Sequence, residues 1–289
     1  MASKIGCAFN YSGNKIRHKN IVESILPKED NLSVLDLFYG AGSLTSTLNP
    51  TWSIIANDLE SRLMDIHIML RKLTWHRDAQ WLVEELVSYG KMFIKDKNDR
   101  EGYLAARDYY NNMPDTLLGE MNKGKVMLLY ILLCSSFSNQ LRWCDQGNWN
   151  IPHGLRNFNR SMQNNLLRYI VDISKRDMIF TSQDFRSFNL PNWDLVISDC
   201  PYLKTTASYN ESGGWTLKDS VALMTKLGKY HDSGGKFIMF EESFSKGVEN
   251  TVITSWMRNY NVTILGDSSA GSNYQRKSGK TVELMIHNF

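Results

Sequence analysis

The sequence has little cysteine: four residues in 289, Cys7, Cys134, Cys144 and Cys200, scattered and never in a Cys-x-x-Cys pair. That scarcity excludes a disulfide scaffold or a zinc framework and reads as reduced thiols of a cytosolic protein. It also lacks a strong charge of one sign. The net charge is only +3, so any basic surface must be local. No apolar run is long enough to span a bilayer and no signal peptide opens the chain, which predicts a protein with no membrane association. There is no internal repeat and no long low-complexity tract. The glycine-rich corner discussed below is followed by no Walker lysine, which argues against a triphosphate site.

What is present is ordinary in bulk, 42% hydrophobic and 22% charged residues, and enough to bury a real core as one large domain or two modest ones. The most telling stretch is Ile197-Ser198-Asp199-Cys200-Pro201-Tyr202-Leu203, which follows the apolar run Trp193–Ile197. A strand ending in Asp-x-Pro-Tyr delivers a carboxylate, a backbone carbonyl, a rigid turn and an aromatic face at one point. In open α/β sheets, ligands bind beyond the carboxyl ends of strands. Taken alone, the same residues also suit an ordinary Asp-Pro turn. A second strand, Val34–Phe38, runs into Tyr39-Gly40-Ala41-Gly42-Ser43, a corner where glycines let a ligand approach the backbone. A third, Trp52–Ala56, ends in Asn57-Asp58, about 20 residues on, where a Rossmann-like site holds ribose hydroxyls. The motif is not a full Gly-x-Gly-x-x-Gly, which favours a nucleoside without a pyrophosphate. Near the N-terminus, Phe9–Lys15 is a polar loop from which Tyr11 and Lys15 can point at a ligand, or a plain turn.

From about Leu73 to Arg176 the α/β alternation stops. Helical apolar spacing over Trp81–Tyr89, Tyr103–Tyr110 and Val126–Phe137 predicts a small helical unit, with charged residues from Lys91 to Arg100 as a linker. Ser138–Asn150 reads as a hairpin turning at Asp145-Gln146-Gly147-Asn148, and Ile151-Pro152-His153-Gly154-Leu155-Arg156 follows. Here bases outnumber acids: Arg142, Arg156, Arg160, Arg168, Lys175 and Arg176 against Asp145 and Asp172. Arg, Asn and Gln on a rigid ribbon can read base edges, and Pro and aromatic residues can wedge into a stack. A solvated basic face around a structural hairpin is the bland alternative. Strands then return at Met178–Phe180, Lys236–Phe240, Val262–Leu265 and Thr281–His287, with helices near Leu217–Tyr230 and Val248–Tyr260 and a loop over Gly266–Lys280. Asp184 at a strand end suits either an adenine amino group, with Phe185 against the ring, or a helix cap.

Taken in order, Tyr11–Lys15, Asp36–Gly40, Ala56–Asp58, Phe137-Ser138-Asn139, Arg142, Gly147-Asn148, Pro152, Gly154, Arg156, Asp199–Leu203 and Tyr209-Asn210 resemble the Dam-type DNA adenine-N6 methyltransferases of phages and enterobacteria, the phage branch above all. The resemblance implies an α/β, Rossmann-like methyltransferase sheet over 1–72 and 177–289, with 73–176 inserted as a mostly helical target-recognition domain carrying a β-hairpin. It implies S-adenosylmethionine as donor and S-adenosylhomocysteine as product, surrounded by Tyr11, Lys15, Asp36, Phe38, Gly40, Asp58, Asp184, Phe185, Asp199 and Tyr209. It implies Asp199, Cys200, Pro201 and Tyr202 as the catalytic turn. Ser138, Gln140, Arg142, Pro152 and Arg156 would contact double-stranded DNA, with GATC as the target. It further implies a bacterial cytoplasmic or phage-encoded protein, a monomer or weak dimer, with no metal.

The chemistry expected is activation of a poor nucleophile. The adenine N6 lone pair is delocalised, and acceptors at Asp199 and the Cys200 carbonyl would favour a pyramidal nitrogen. The base would leave the duplex to stack on Tyr202. Cys200 stands where this family usually has Pro; only its carbonyl is needed, so the change is expected to be tolerated. A binding module that lost turnover, and an enzyme acting on RNA or another amino group, are the other classes the sequence admits.

Overall fold

The computed structural model describes residues 6–10, 13–74, 78–117, 120–139, 141–203, 214–245, 248–267 and 281–289. Tyr11, Gln140 and Tyr209, and most of the expected loop up to Lys280, lie outside the described residues. The chain divides into two units: 1–19, 40–50 and 60–180 in the first, and 20–39, 51–59 and 181–289 in the second.

The second unit is built on a mostly parallel sheet. Its strands are β1 (Ser33–Asp36), β2 (Ser53–Asn57), β6 (Leu195–Ser198), β7 (Lys236–Ser245), β9 (Asn261–Asp267) and β10 (Val282–His287), in the order β2-β1-β6-β7-β10-β9. β1 pairs in parallel with both β2 and β6, and β6 with β7; β10 runs antiparallel between β7 and β9. The short buried runs Val34–Asp36 of β1 and Leu195–Ser198 of β6 are what two-sided coverage requires. Helix α7 (Leu217–Asp232) supplies part of that cover. Leu223, Leu227 and Tyr230 pack into one cluster with Leu35, Val196, Phe237, Met239, Leu284 and Ile286. Its start is fixed by a capping box in which Thr216 and Asp219 satisfy each other's backbone N–H groups. The expected helix over Val248–Tyr260 is shorter, α8 (Thr251–Trp256), because Val248–Glu249 pairs with β7 as β8. This is the Rossmann-like α/β sheet expected, and its strand order reverses between β1 and β6.

The first unit is largely helical: α2 (Ser61–Thr74), α3 (Ala79–Lys91), α4 (Arg100–Asn112), α5 (Lys123–Ser135) and α6 (Arg160–Ile173). Asp78, Asp99, Asn122 and Asn159 each cap a helix by accepting a backbone N–H. Every residue of α5 from Val126 to Ser135 is buried, as an all-round apolar helix must be. The apolar periodicity located α3 and α4 and the body of α5. It did not single out α2 or α6, whose apolar positions are diluted by charge, and it carried α5 too far: the helix ends at Ser135, because Ser136 is already extended (φ −79°, ψ 160°) and Ser138 and Asn139 then adopt left-handed backbone. The strand Asp177–Thr181, β5, carries the chain into the second unit, where Thr181 accepts the Asp58 N–H.

His67 is fully buried in the first unit. Its Nε2–H donates to the Gly40 carbonyl (2.8 Å), the Tyr169 hydroxyl donates to its Nδ1 (2.7 Å), and Phe180 stacks on the ring. Burial pushes its pKa down from 6.5 to about 4, against the pull of the Gly40 bond. Since the unfolded chain binds this proton more readily, stability should fall as pH drops from 6.5 towards 4. A shift of this size corresponds to on the order of 3 kcal/mol. In His67→Gln that part of the slope should vanish in thermal melts taken across the window; an unchanged slope would assign the acid sensitivity to other groups.

Candidate active site and nucleic-acid interface

Three carboxylates gather at the carboxyl ends of neighbouring strands in the second unit. Asp36 closes β1 in register with Ala56 of β2 and Ile197 of β6, so Asp58 and Asp199 each follow two residues beyond those partners. Asp36 is 3% exposed, and its Oδ1 accepts the Phe38 N–H at 3.2 Å. Burial pushes its carboxyl up to about 8; the Phe38 bond opposes this, and the charges of Asp199 and Asp58 add to it. This is an anionic crevice at the point where strand order reverses, the usual place for a ligand in an open α/β sheet.

Asn57, beside Asp58, holds the crevice in shape. Its Nδ2 donates to the Leu37 and Gln183 carbonyls (3.1 and 3.0 Å), and its Oδ1 accepts from the Thr181 hydroxyl and the Gln183 N–H (3.0 and 2.9 Å). Its carbonyl takes the Tyr39 N–H at 2.7 Å. Around Phe38 lie Phe185 and Trp215, with ring centroids 5.4–5.7 Å apart. Trp215 was not foreseen, since nothing in its local sequence marks it. Asp184 takes the cap role: its carboxylate accepts the Arg186 N–H and pairs with that guanidinium at 2.9 Å, while Arg186 also reaches Asp219 and lies over the Phe185 ring.

The turn after β6 carries Asp199, Cys200, Pro201 and Tyr202. Met239 of β7 lies opposite Ser198, so β7 runs on beside this turn. The Cys200 thiol is 2% exposed and donates towards Glu241 Oε2 (3.7 Å) and the Phe240 carbonyl (3.9 Å). The Tyr202 hydroxyl donates to Glu283 Oε1 at 3.0 Å. Burial pushes Glu241 up to about 8, with the charges of Glu242 and Asp199 adding to the effect. Neither Glu241 nor Glu283 was anticipated. The available signal was a Glu standing at the end of, or inside, an otherwise apolar strand.

In the first unit, the glycine corner is left-handed at Gly40 (φ 52°) and Gly42 (φ 72°), a conformation that favours glycine. The N-terminal loop holds it: Ala8 N–H donates to the Ala41 carbonyl, and Lys15 N–H to Ser43 Oγ (3.3 Å). Lys15 is buried and its Nζ donates to the Gly13 carbonyl at 2.7 Å. After Gly42 comes only a short turn, Thr45–Thr47, rather than the full helix a pyrophosphate site would use.

The expected hairpin is present. Trp143 and Trp149 pair across it, Cys144 N–H donates to the Asn148 carbonyl, and Gly147 makes the turn with φ 77°. It is anchored by aromatic packing. Arg62 lies 3.9 Å over the Trp143 ring and donates to the Gly147 carbonyl, Trp143 Nε1–H donates to Glu60, and Trp149 exchanges two backbone bonds with the Asn111 side chain. Arg142 is held by Asn150 through Nε (2.9 Å) and Nη2 (3.3 Å). The exposed Arg156 is held by Asn139 Oδ1 at 2.8 Å. A second ribbon contact joins Ser136 to His153. Gly154 is required there, because a Cβ would meet the Ser136 carbonyl oxygen at 2.3 Å. The first unit thus brings Ser138, Arg142, Pro152 and Arg156 onto one anchored ribbon. The second brings Asp36, Phe38, Asp58, Phe185, Asp199, Cys200 and Tyr202 to the sheet ends.

A parallel sheet with its order reversed beside an Asp-x-Pro-Tyr strand end defines a class of α/β ligand-binding fold. Residues 11–267 match the family described as D12 class N6 adenine-specific DNA methyltransferase, and the chain belongs to that family. It is 27% identical over 300 residues to the type II methyltransferase M.FokI of Planomicrobium okeanokoites, covering 99% of this chain and 43% of that protein. It is 27% identical over 291 residues to the modification methylase StsI of Streptococcus sanguinis, covering 97% and 42%. The chain therefore spans less than half the length of these curated relatives. An rRNA methyltransferase, AviRa of Streptomyces viridochromogenes, overlaps 95% of this chain and 83% of its own at 12% identity, with a TM-score of 0.34 that supports no conclusion. Among the described residues no helix is long and apolar enough to cross a membrane, and no cluster of His, Cys, Asp and Glu could hold a metal ion.

The Asp36 carboxyl gives a direct test of the crevice. Because its folded pKa lies above the unfolded value of 3.8, stability should be lost as pH rises from 3.8 to about 8 and then level off. The melting temperature of Asp36→Asn, relative to wild type, should therefore rise steadily between about pH 5 and about pH 8. A constant difference would mean that the carboxyl is already ionised throughout.

Proposed function

We propose that the chain transfers a methyl group from S-adenosylmethionine to N6 of adenine in duplex DNA. The observation that carries this reading is the Asp199–Tyr202 turn at the end of β6, beside the buried Asp36 at the strand-order reversal, in a chain of the D12 class. Residues 1–72 and 177–289 would form the catalytic part, and 73–176 the part that reads DNA.

The crevice fits the donor. The charges of Asp58 and Asp199 suit a cation, and its aromatic group of Phe38, Phe185 and Trp215 suits a flat base. Asp58 would hold the ribose hydroxyls, while Phe38 and Phe185 face the donor's adenine. Asp184 would contribute by fixing the Phe185 turn. Lys15 and Gly40, with Tyr11 and Tyr209, complete the proposed set. When bound, the donor supplies an electrophilic methyl group on a sulfonium. The Asp199 carboxylate and the Cys200 carbonyl accept one N6 hydrogen each, turning the amine lone pair out of the ring plane, and Tyr202 stacks on the flipped base.

The experiment is transfer of tritiated methyl to duplex DNA, with the product nucleoside identified. N6-methyl-2′-deoxyadenosine supports the reading; label in deoxycytidine or in RNA alone overturns it. Asp199→Ala should lower turnover by on the order of 10²–10³ with DNA binding kept, as for other oriented acceptors at a reacting centre. A variant retaining more than about a tenth of wild-type turnover would remove Asp199 from that role.

The finer reading assigns Arg142 and Arg156 to guanines, in GATC. Their tethering by Asn150 and Asn139 supports it, because a base reader needs a pre-set guanidinium. Arg142→Ala and Arg156→Ala should each cost about 1–3 kcal/mol in kcat/KM on a GATC duplex and narrow the gap to a duplex with one altered G·C pair. Equal losses on both duplexes, with a shallower salt dependence, would make them phosphate anchors.

A further inference from the structure

We propose that Glu241 and Glu283 are positioning residues of the adenine-binding turn, Glu241 acting through the Cys200 thiol and Glu283 through the Tyr202 hydroxyl. This rests on the methyltransferase reading above. Both contacts lie within the second unit and both end on the turn itself. Cys200 Sγ is 3.7 Å from Glu241 Oε2, and Tyr202 Oη is 3.0 Å from Glu283 Oε1. Glu241 is in turn fixed by the Glu242 N–H, 3.0 Å from its Oε1.

The sheet is irregular at this point. β10 pairs Leu284 with Glu241 and Glu283 with Glu242, but its register slips on both sides of Glu283, against β7 before it and against β9 after it. Such bulges re-aim a side chain. Here the re-aimed carboxylate is 4% exposed and meets Tyr202. Two acidic residues buried in a sheet are costly unless something requires them. In each case the partner belongs to the turn that carries the acceptor carbonyl or the stacking ring. The family's usual Pro at position 200 has no side-chain donor, so the cysteine adds a tether that a proline lacks.

Among the described residues, the titratable groups that act on Glu241 or share its surroundings are Glu242 on its own strand, Asp199, Cys200 and Tyr202 on the turn, and Glu283 on β10. Below about pH 8 Glu241 is neutral and can share a proton with the thiol; above it a second charge appears beside Asp199.

The test is steady-state methyl transfer to a duplex by Glu241→Ala, Glu241→Gln, Cys200→Ala and the double variant Cys200→Ala/Glu241→Ala, across pH. Glu241→Ala should lower kcat about tenfold with KM for the donor within about twofold, as for a second-layer residue. Glu241→Gln, which mimics the neutral acid, should lose about threefold or less. The double variant should be no slower than the worse single one. In parallel, Tyr202→Phe and Glu283→Ala should raise KM for DNA by the same factor. Losses that multiply in the double variant overturn the proposal for Glu241. Unequal KM effects overturn it for Glu283. If wild type transfers no methyl to duplex DNA, the functional reading fails, and the same double-variant cycle is read in melting temperature. Coupling there supports the Cys200–Glu241 tether, and additivity overturns it.

Discussion

The Asn57 side chain is the constraint on which the crevice depends. One buried amide, using both its donor hydrogens and its acceptor oxygen, ties the end of β1 to the segment that follows β5, while its own carbonyl secures Tyr39. Strand ends otherwise fan out with unpaired backbone groups. Here they are held so that Asp36 and Asp58 stand close enough for the charge of Asp58 to act on Asp36. No other side chain of that volume offers donors and an acceptor in one plane, and an aspartate would set a charge against the two carbonyls that Nδ2 now serves.

The arrangement works electrostatically against itself. The charges of Asp199 and Asp58 repel a charge on Asp36, and those of Glu242 and Asp199 repel one on Glu241, so that with burial both carboxyls stay protonated up to about pH 8. A cationic ligand relieves this repulsion, so the destabilised crevice favours binding of positive charge.

The sequence carried the sheet well because β1, β2 and β6 are short apolar runs that each stop at or beside a polar residue. Asp36, Asp58 and Asp199 were legible for that reason. The hairpin was legible through Gly147 and the flanking tryptophans. Side chains whose importance depends on long-range partners were not. His67, Arg62, Trp215, Glu241 and Glu283 gain their roles from residues tens to more than a hundred positions away, and local pattern does not encode such pairings. Asp184 shows the converse: two local readings were open, and Arg186, two residues on, takes up its carboxylate.

The two units are threaded through one another along the chain, which passes between them at 19/20, 39/40, 50/51, 59/60 and 180/181. Neither is a continuous stretch that a ribosome could release and let fold while the rest is awaited. The strand β1 is made early, but its partner β6 emerges some 160 residues later. Folding of the parallel sheet therefore has to wait for a long loop to close, a slow step that leaves an apolar strand edge uncovered during synthesis. A split version cut anywhere between β2 and β6 would place β1 and β6 on different pieces, so that this parallel pair could form only when the two pieces associate.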